Sequence, residues 1–297
     1  MMSATKIDGL QVSKTLLNKY SQLVAGLKEK KIYPKLVVIT LGEDPASQVY
    51  VGQKEKKAKQ IGLDFEWLKL REEISPQDLK QVIDALNEDA SISGIIVQLP
   101  LPEGFNPELI ASWIDPSKDV DGLSPLNMGK LLKNQESLLP CTPKGILKLF
   151  EVYEVDLVGK DITVIGKSQI VGMPLAVLLT YQGATVSLCH SRTKNLKDKC
   201  IQSDIIISAV GSPNLVTEDM VKDQAIIIDV GINRLDNGKL VGDVDYQAVE
   251  DKVAMITPVP GGVGPMTVAM LIEQTLIAAC NLAGADYQDL WEGLFDE

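Results

Sequence analysis

Tyr50 and Lys54 stand four residues apart in Ser47-Gln48-Val49-Tyr50-Val51-Gly52-Gln53-Lys54, at the start of a helical pattern, so both project from one face. Ala58 continues that face, whereas Lys56 and Lys59 point elsewhere as solvated charge. A lysine among small and apolar neighbours is desolvated, which lowers its pKa and makes the amine a usable proton acceptor. In a Lys-rich helix a snorkelling side chain is the plainer reading, and spacing alone leaves both open. Gln98, in Gln98-Leu99-Pro100-Leu101-Pro102, leaves an apolar strand at its C-terminal end, the edge where open α/β sheets bind ligands. Asp121, in Lys118-Asp119-Val120-Asp121-Gly122, belongs to a turn by composition. Asp-Gly turns are common, yet a carboxylate there can clamp an aminopyrimidine-type ring by paired hydrogen bonds.

A second group of residues suits a nucleotide. Gly166-Lys167-Ser168-Gln169-Ile170-Val171-Gly172-Met173-Pro174 joins a buried strand to a helix, so glycine-bearing backbone and unpaired N–H groups meet where a phosphate binds. The spacing is not GxGxxG, and strand-turn-helix units with two glycines also occur where nothing binds. After the next strand an NAD enzyme usually keeps an acidic residue for the ribose hydroxyls. Here the chain has Cys189-His190-Ser191-Arg192-Thr193-Lys194. Ser191 and Arg192 suit a 2′-phosphate, which favours NADP as cofactor, while Lys194 reads as solvated. His190, the one histidine, stands beside a strand end and takes a structural role here. Pro258-Val259-Pro260-Gly261-Gly262-Val263-Gly264-Pro265-Met266-Thr267 lies between a strand and a helix, a density of Pro and Gly that suggests backbone held close to a ligand.

Elements able to position these residues follow an α/β pattern, apolar runs alternating with helical stretches. Strands are expected at 36–41 and 94–98, with helices at 12–29, 46–61 and 76–87. A second series of buried strands is expected at 161–165, 185–189, 204–209, 225–230 and 254–258. The turn-rich stretch 116–145 marks a domain change near residue 140. An apolar helix follows Thr267 with no further strand, as a helix returning to the first domain would, and the residues from Ala285 read as a short tail.

Composition bounds what such a chain does. At 297 residues it holds one large or two ordinary domains, and 45% hydrophobic with 23% charged residues is an ordinary globular mix. The net charge of −11 repels nucleic acid and anionic membrane. No stretch reads as the ~20 apolar residues of a membrane span, and the N-terminus lacks an apolar leader or an Arg-rich transit pattern. Cys141, Cys189, Cys200 and Cys280 form no CxxC pair, so no metal site and no disulfide scaffold is expected. These features fit a cytoplasmic protein.

Six motifs in order make the chain resemble the bifunctional methylenetetrahydrofolate dehydrogenase/cyclohydrolase family, from about Ile7 to about Gly284. They are SxxYVxxKxKxAxxxG at 47–62, VQLPLP at 97–102, KDVDG at 118–122, PCTPKG at 140–145, GKSQIVGMP at 166–174 and PVPGGVGPMT at 258–267. The resemblance implies two α/β domains flanking a cleft, the second a Rossmann-like parallel sheet. Residues 1–139 with a returning helix at 266–297 would form the catalytic folate-binding domain, and 140–265 the NADP-binding domain. It also implies tetrahydrofolate derivatives as substrates and a homodimer. Lys54 would be essential for cyclohydrolysis, with Tyr50 against the pterin, Gln98 bonded to Lys54, and Asp121 on the pyrimidine side. Gly166, Lys167, Ser168, Ser191, Arg192 and Ile232 would lie along NADP, and Val259, Pro260, Gly261 and Gly262 along the folate. Where the family usually has Arg, this chain has Lys167, which keeps the charge but lacks the planar fork for a 2′-phosphate. Two rival readings stand beside this one. Tyr50 and Lys54 could serve an NADP oxidoreductase on a non-folate substrate, although in short-chain dehydrogenases Tyr-x-x-x-Lys follows the nucleotide turn rather than preceding it. The chain could also be a folate- or nucleotide-binding protein without turnover.

Overall fold

The computed structural model describes residues 4–295. In chain order the first elements are β1 (Thr5–Lys6), α1 (Gly9–Glu29), β2 (Lys35–Leu41), α2 (Pro45–Gln60), β3 (Asp64–Leu70), α3 (Pro76–Glu88), β4 (Gly94–Val97), α4 (Pro107–Ala111), α5 (Pro125–Leu132) and α6 (Cys141–Val152). There follow β5 (Asp161–Ile165), α7 (Gly172–Tyr181), β6 (Thr185–Cys189), α8 (Leu196–Gln202), β7 (Ile205–Ser208), β8 (Ile226–Asp229), β9 (Asn233–Arg234), β10 (Leu240–Val241), α9 (Tyr246–Val249), β11 (Met255–Ile256), α10 (Val263–Leu282) and α11 (Tyr287–Phe295). The chain divides into two compact units, one of residues 14–141 and 268–297, the other of residues 142–267 with the N-terminal segment through Ser13.

The first unit carries a parallel sheet in the order β3-β2-β4. Central β2, KLVVITL, is buried along nearly its whole length, which is why it reads as a continuous apolar run. Val37, Ile39, Leu79, Ile83, Ile95 and Ile110 pack into one core cluster. Edge strand β3 alternates Asp64-Phe65-Glu66-Trp67 between exposed and half-buried positions, and a search for unbroken apolar runs misses it. Helix α2 opens on Asp44, whose carboxylate accepts the Ser47 N–H at 2.7 Å, with Pro45 in the first turn. The buried ammonium of Lys118 donates to the carbonyls of Leu86, Asn87 and Asp89 at 3.2, 2.7 and 2.7 Å, satisfying acceptors at the C-terminal end of α3.

The second unit carries a six-stranded parallel sheet in the order β1-β11-β8-β7-β5-β6. Beyond β5 the chain moves to β6 on one side and then to β7 and β8 on the other, so the winding direction reverses between β5 and β7. In open α/β sheets ligands bind at the carboxyl ends of the strands at such a reversal. The short antiparallel pair β9–β10 follows β8.

Where strand ends differ from the sequence reading it is by one or two residues, as at β7 and β11, where ladder pairing stops before the apolar run does. Three differences are larger. The N-terminal segment groups with the six-stranded unit rather than with residues 14–139, because β1 pairs in parallel with β11. The residues after Ala285 form helix α11 rather than a tail, and Tyr287, Trp291 and Phe295 at i, i+4 spacing make one aromatic face. Trp291 packs on Tyr20 at 5.7 Å between ring centroids, and the Lys19 ammonium lies 4.9 Å from the Phe295 ring centre. Finally, α10 is long and apolar enough to cross a membrane, contrary to the expectation that no stretch is; 78% of its apolar window is buried inside the protein, as in a core helix. Residues 1–3 and 296–297, which the leader and tail readings include, lie outside the described residues.

Candidate active site

The buried face of α2 and its C-cap runs Ser47, Val51, Lys54, Ala58, Ile61 at spacings of three and four, so Lys54 is the charged group in the middle of a stripe of small and apolar residues and is only 7% exposed. A charged amine there loses most of its hydration. Its Nζ donates to Gln98 Oε1 at 2.8 Å and lies 4.7 Å from the centre of the Tyr50 ring, which supplies a cation–π contact. Gln98 is held in turn. Its backbone N–H donates to Ile39 O at 2.8 Å, continuing the sheet beyond β4, and its Nε2 donates to Leu99 O at 2.6 Å, which fixes the amide with Oε1 toward the lysine.

Burial pushes the Lys54 pKa below the ordinary lysine value, and the charges of Asp121 and Cys141 pull it partly back. Burial also drives the Tyr50 hydroxyl above its ordinary value, reinforced by the same two groups, so Tyr50 stays a neutral phenol. Asp121 therefore faces both residues electrostatically while itself half-buried. Four residues singled out by type and spacing, Tyr50, Lys54, Gln98 and Asp121, thus meet in the three-stranded unit. The snorkelling alternative for Lys54 does not fit a side chain with its amine buried against Gln98.

The rest of the KDVDG motif builds the turn instead. Asp119, 1% exposed, accepts the Ser124 and Leu123 N–H groups at 2.7 and 3.2 Å and Asn127 Nδ2 at 2.9 Å. Two residues escaped the sequence reading. Cys141, buried with Sγ 3.3 Å from Val120 O, acts electrostatically on both Tyr50 and Lys54, and only its place in the PCTPKG motif hinted at it. Ser47 Oγ is buried with no hydrogen-bond partner, one turn before Tyr50 on the same helix. Its i, i+3, i+7 spacing with Tyr50 and Lys54 was the available signal.

In the six-stranded unit the nucleotide candidates gather at the carboxyl edge. Gly166 has φ +115°, and a Cβ there would overlap the Ala209 carbonyl oxygen, so the turn after β5 approaches the loop after β7 only with glycine. Lys167, Ser168, Gln169 and Ile170 are exposed, and Ser168 Oγ accepts the Val171 and Gly172 N–H groups at 3.2 and 3.4 Å. Val171, preceding α7, makes no side-chain cap. This exposed turn, its hydroxyl and the positive end of α7 fit a dinucleotide phosphate. Ser191 and Arg192 are exposed in the turn after β6, whose shape is fixed by His190: its Nδ1 accepts the Arg192 N–H at 3.2 Å, and its N–H donates to Thr193 Oγ1 at 2.9 Å. Ile232 is 60% exposed after β8. Val259, Pro260, Gly261 and Gly262 follow β11, where Leu10 N–H donates to Gly261 O at 2.8 Å and a Cβ on Gly9 would overlap Gly262 O. A Cβ on Gly262 would in turn crowd Pro258 O and Thr257 Cβ, so Gly262 has a packing reason of its own. Among the described residues no cluster of three His, Cys, Asp or Glu side chains could hold a metal ion.

Residues 7–121 match the model of the tetrahydrofolate dehydrogenase/cyclohydrolase catalytic domain, and residues 140–283 match that family's NAD(P)-binding domain. The chain belongs to this family. The bifunctional protein FolD of Exiguobacterium sibiricum is 50% identical over 276 residues, 93% of this chain and 99% of the relative. The bifunctional FolD structure from Campylobacter jejuni superposes with a TM-score of 0.93 at 48% identity, covering 94% of this chain and 99% of that one. The Trypanosoma brucei dehydrogenase-cyclohydrolase, solved with NADP cofactor and inhibitor, gives 0.92 at 36% identity, covering 96% and 100%. As in these family members, the architecture is two α/β domains, one with a Rossmann-like sheet.

Proposed function

We propose that this protein oxidises 5,10-methylenetetrahydrofolate to the 5,10-methenyl form with NADP⁺ and hydrolyses that product to 10-formyltetrahydrofolate. The observation that carries the reading is Lys54, desolvated on α2 and held by Gln98. Family membership, the NAD(P)-binding domain model and the NADP-bound relative support the pairing of the two activities. NADP⁺, when bound, supplies the hydride acceptor of the first step. That step needs positioning more than acid–base chemistry, since donor and acceptor carbons must approach van der Waals contact. Tyr50 offers a ring face to the pterin, and Asp121 offers a carboxylate to its pyrimidine side. Gly166, Lys167, Ser168 and Ile232 would hold the dinucleotide, with Ser191 and Arg192 on its 2′-phosphate.

Hydrolysis needs a proton acceptor. Water adds to the methenyl carbon and its proton passes to the Lys54 amine, whose lowered pKa keeps a larger neutral fraction. The C–N5 bond then breaks as the adduct's remaining hydroxyl proton leaves to solvent and the formyl C=O forms, while the Lys54 ammonium returns the first proton to N5, so one proton is released overall. Gln98 Oε1 holds the amine in line, and Asp121 keeps its pKa from falling so far that it cannot carry the proton. The buried Ser47 hydroxyl is a further group that substrate would satisfy. A homodimer in the cytoplasm completes the proposal; the buried thiols of all four cysteines, with no disulfide, agree with a reducing compartment.

The test is absorbance of reduced nicotinamide formed from 5,10-methylenetetrahydrofolate, run in parallel with NADP⁺ and NAD⁺. NADP⁺-dependent reduction followed by methenyl decay is the expected result. Faster reduction with NAD⁺ would mean that Lys167 has reset the cofactor choice, and no reduction with either would leave a cyclohydrolase-only enzyme or a binding protein.

A further inference from the structure

Two buried carboxylates lie beneath the nucleotide edge of the six-stranded unit, and the chemistry above uses neither. Asp243, wholly buried after β10, collects five donors: Ser208 Oγ at 3.1 Å, the N–H groups of Val210, Gly211 and Ser212 at 2.8, 3.3 and 2.8 Å, and Asn233 Nδ2 at 3.1 Å. Asp229, at the end of β8, accepts the N–H groups of Gly231, Asp243 and Val244 at 3.1, 2.9 and 3.0 Å. Each aspartate meets a glycine that admits it: a Cβ on Gly231 would overlap the Asp243 carboxylate, and one on Gly242 the Asp229 carboxylate. The pair is thus interlocked across the β9–β10 hairpin.

Its partners are the loops that border the phosphate turn. The 210–212 backbone continues from Ala209, whose carbonyl presses on Gly166, and Ile232 is strung between Gly231 and Asn233. A folded chain rarely buries two carboxylates together unless the donors they gather are themselves needed in place. Burial pushes the Asp229 carboxyl up to about 6, against three backbone donors that pull it down and the Asp243 charge that raises it further.

We propose that Asp243, braced by Asp229, is a positioning residue for the nucleotide: it fixes the loop after β7 and the Ile232 segment so that the dinucleotide meets a preformed surface beside Gly166. This rests on reading the β5–α7 turn as the nucleotide site. Asp243→Asn keeps the shape but turns an NH₂ toward N–H donors, so one side of the cradle becomes repulsive. Asn233→Ala removes a single donor at the surface end and endangers the fold less.

The readouts are NADPH binding by nucleotide fluorescence, the KM for NADP⁺, and cyclohydrolase turnover on methenyltetrahydrofolate without nucleotide, which depends on the other unit. Asp243→Asn should weaken NADPH binding and raise the KM for NADP⁺ about tenfold, and Asn233→Ala about threefold, with cyclohydrolase kcat unchanged in both. Nucleotide binding within twofold of wild type in folded variants overturns the proposal, as does a parallel fall of both activities. If Asp243→Asn does not fold, Asn233→Ala decides by the same criterion. Wild-type protein that binds no NADPH removes the nucleotide reading and the proposal with it.

Discussion

The two units build their sites from opposite materials. In the three-stranded unit the candidate groups are side chains set around a buried amine: a desolvated lysine, the half-buried glutamine that holds it, and a half-buried tyrosine and aspartate whose fields meet it. In the six-stranded unit the candidate contacts are backbone and exposed side chains on loops, and the buried side chains, Asp229 and Asp243, serve those loops from behind. The difference follows from what each must do. Moving a proton requires a tuned pKa, which only burial and neighbouring charge supply. Gripping an anionic ligand requires donors in a fixed array, which N–H groups and flexible cations provide.

Lys54→Met should break the comparison most visibly, costing about 10³-fold in cyclohydrolase kcat, while the melting temperature holds or rises because an apolar chain replaces a desolvated charge. Retained turnover in a steady-state assay would mean that the proton acceptor lies elsewhere. On the other unit, Arg192→Ala should raise the KM for NADP⁺ about tenfold and leave that for NAD⁺ nearly unchanged, since only the former carries a 2′-phosphate. Equal changes with the two cofactors would remove that role.

A pH profile sharpens the contrast. Cyclohydrolase activity should rise with pH through a group titrating below the ordinary lysine value of 10.5, while nucleotide binding shows no such step. Because the Asp121 charge raises the Lys54 pKa, Asp121→Asn should move that inflection to lower pH; a shift upward would reverse the assignment. The smallest effect is expected from Asp44→Ala, which removes the N-cap of α2 and costs about 1 kcal/mol of stability in denaturant melts, with Lys54 itself intact.

The contrast also governs what could be read from the residues. Helical spacing puts Tyr50 and Lys54 on one face, and the strand end locates Gln98, because side-chain chemistry depends on residue type at a given period. The β5–α7 turn is likewise visible through its glycines. Asp243 was not, because its five partners come from the end of β7, the loop after it and the start of β9, and no local spacing announces a carboxylate that works by long-range convergence. Strand β3 escaped because an edge strand exposed on alternate residues lacks the continuous apolar signal of β2. Helix α11 escaped because its aromatic spacing was hidden in a segment short enough to pass for a tail.

The pairing of β1 with β11 also bears on the order in which the chain can be assembled as it is synthesised. Thr5 is made long before its ladder partner Met255. The edge strand β1 of the six-stranded sheet therefore has no partner until β11 has been made, whereas β2, β3 and β4 pair within a contiguous, earlier stretch. The nascent protein passes through a stage with its first sheet formed and the other waiting for an edge, the interval in which a chaperone would find it most exposed.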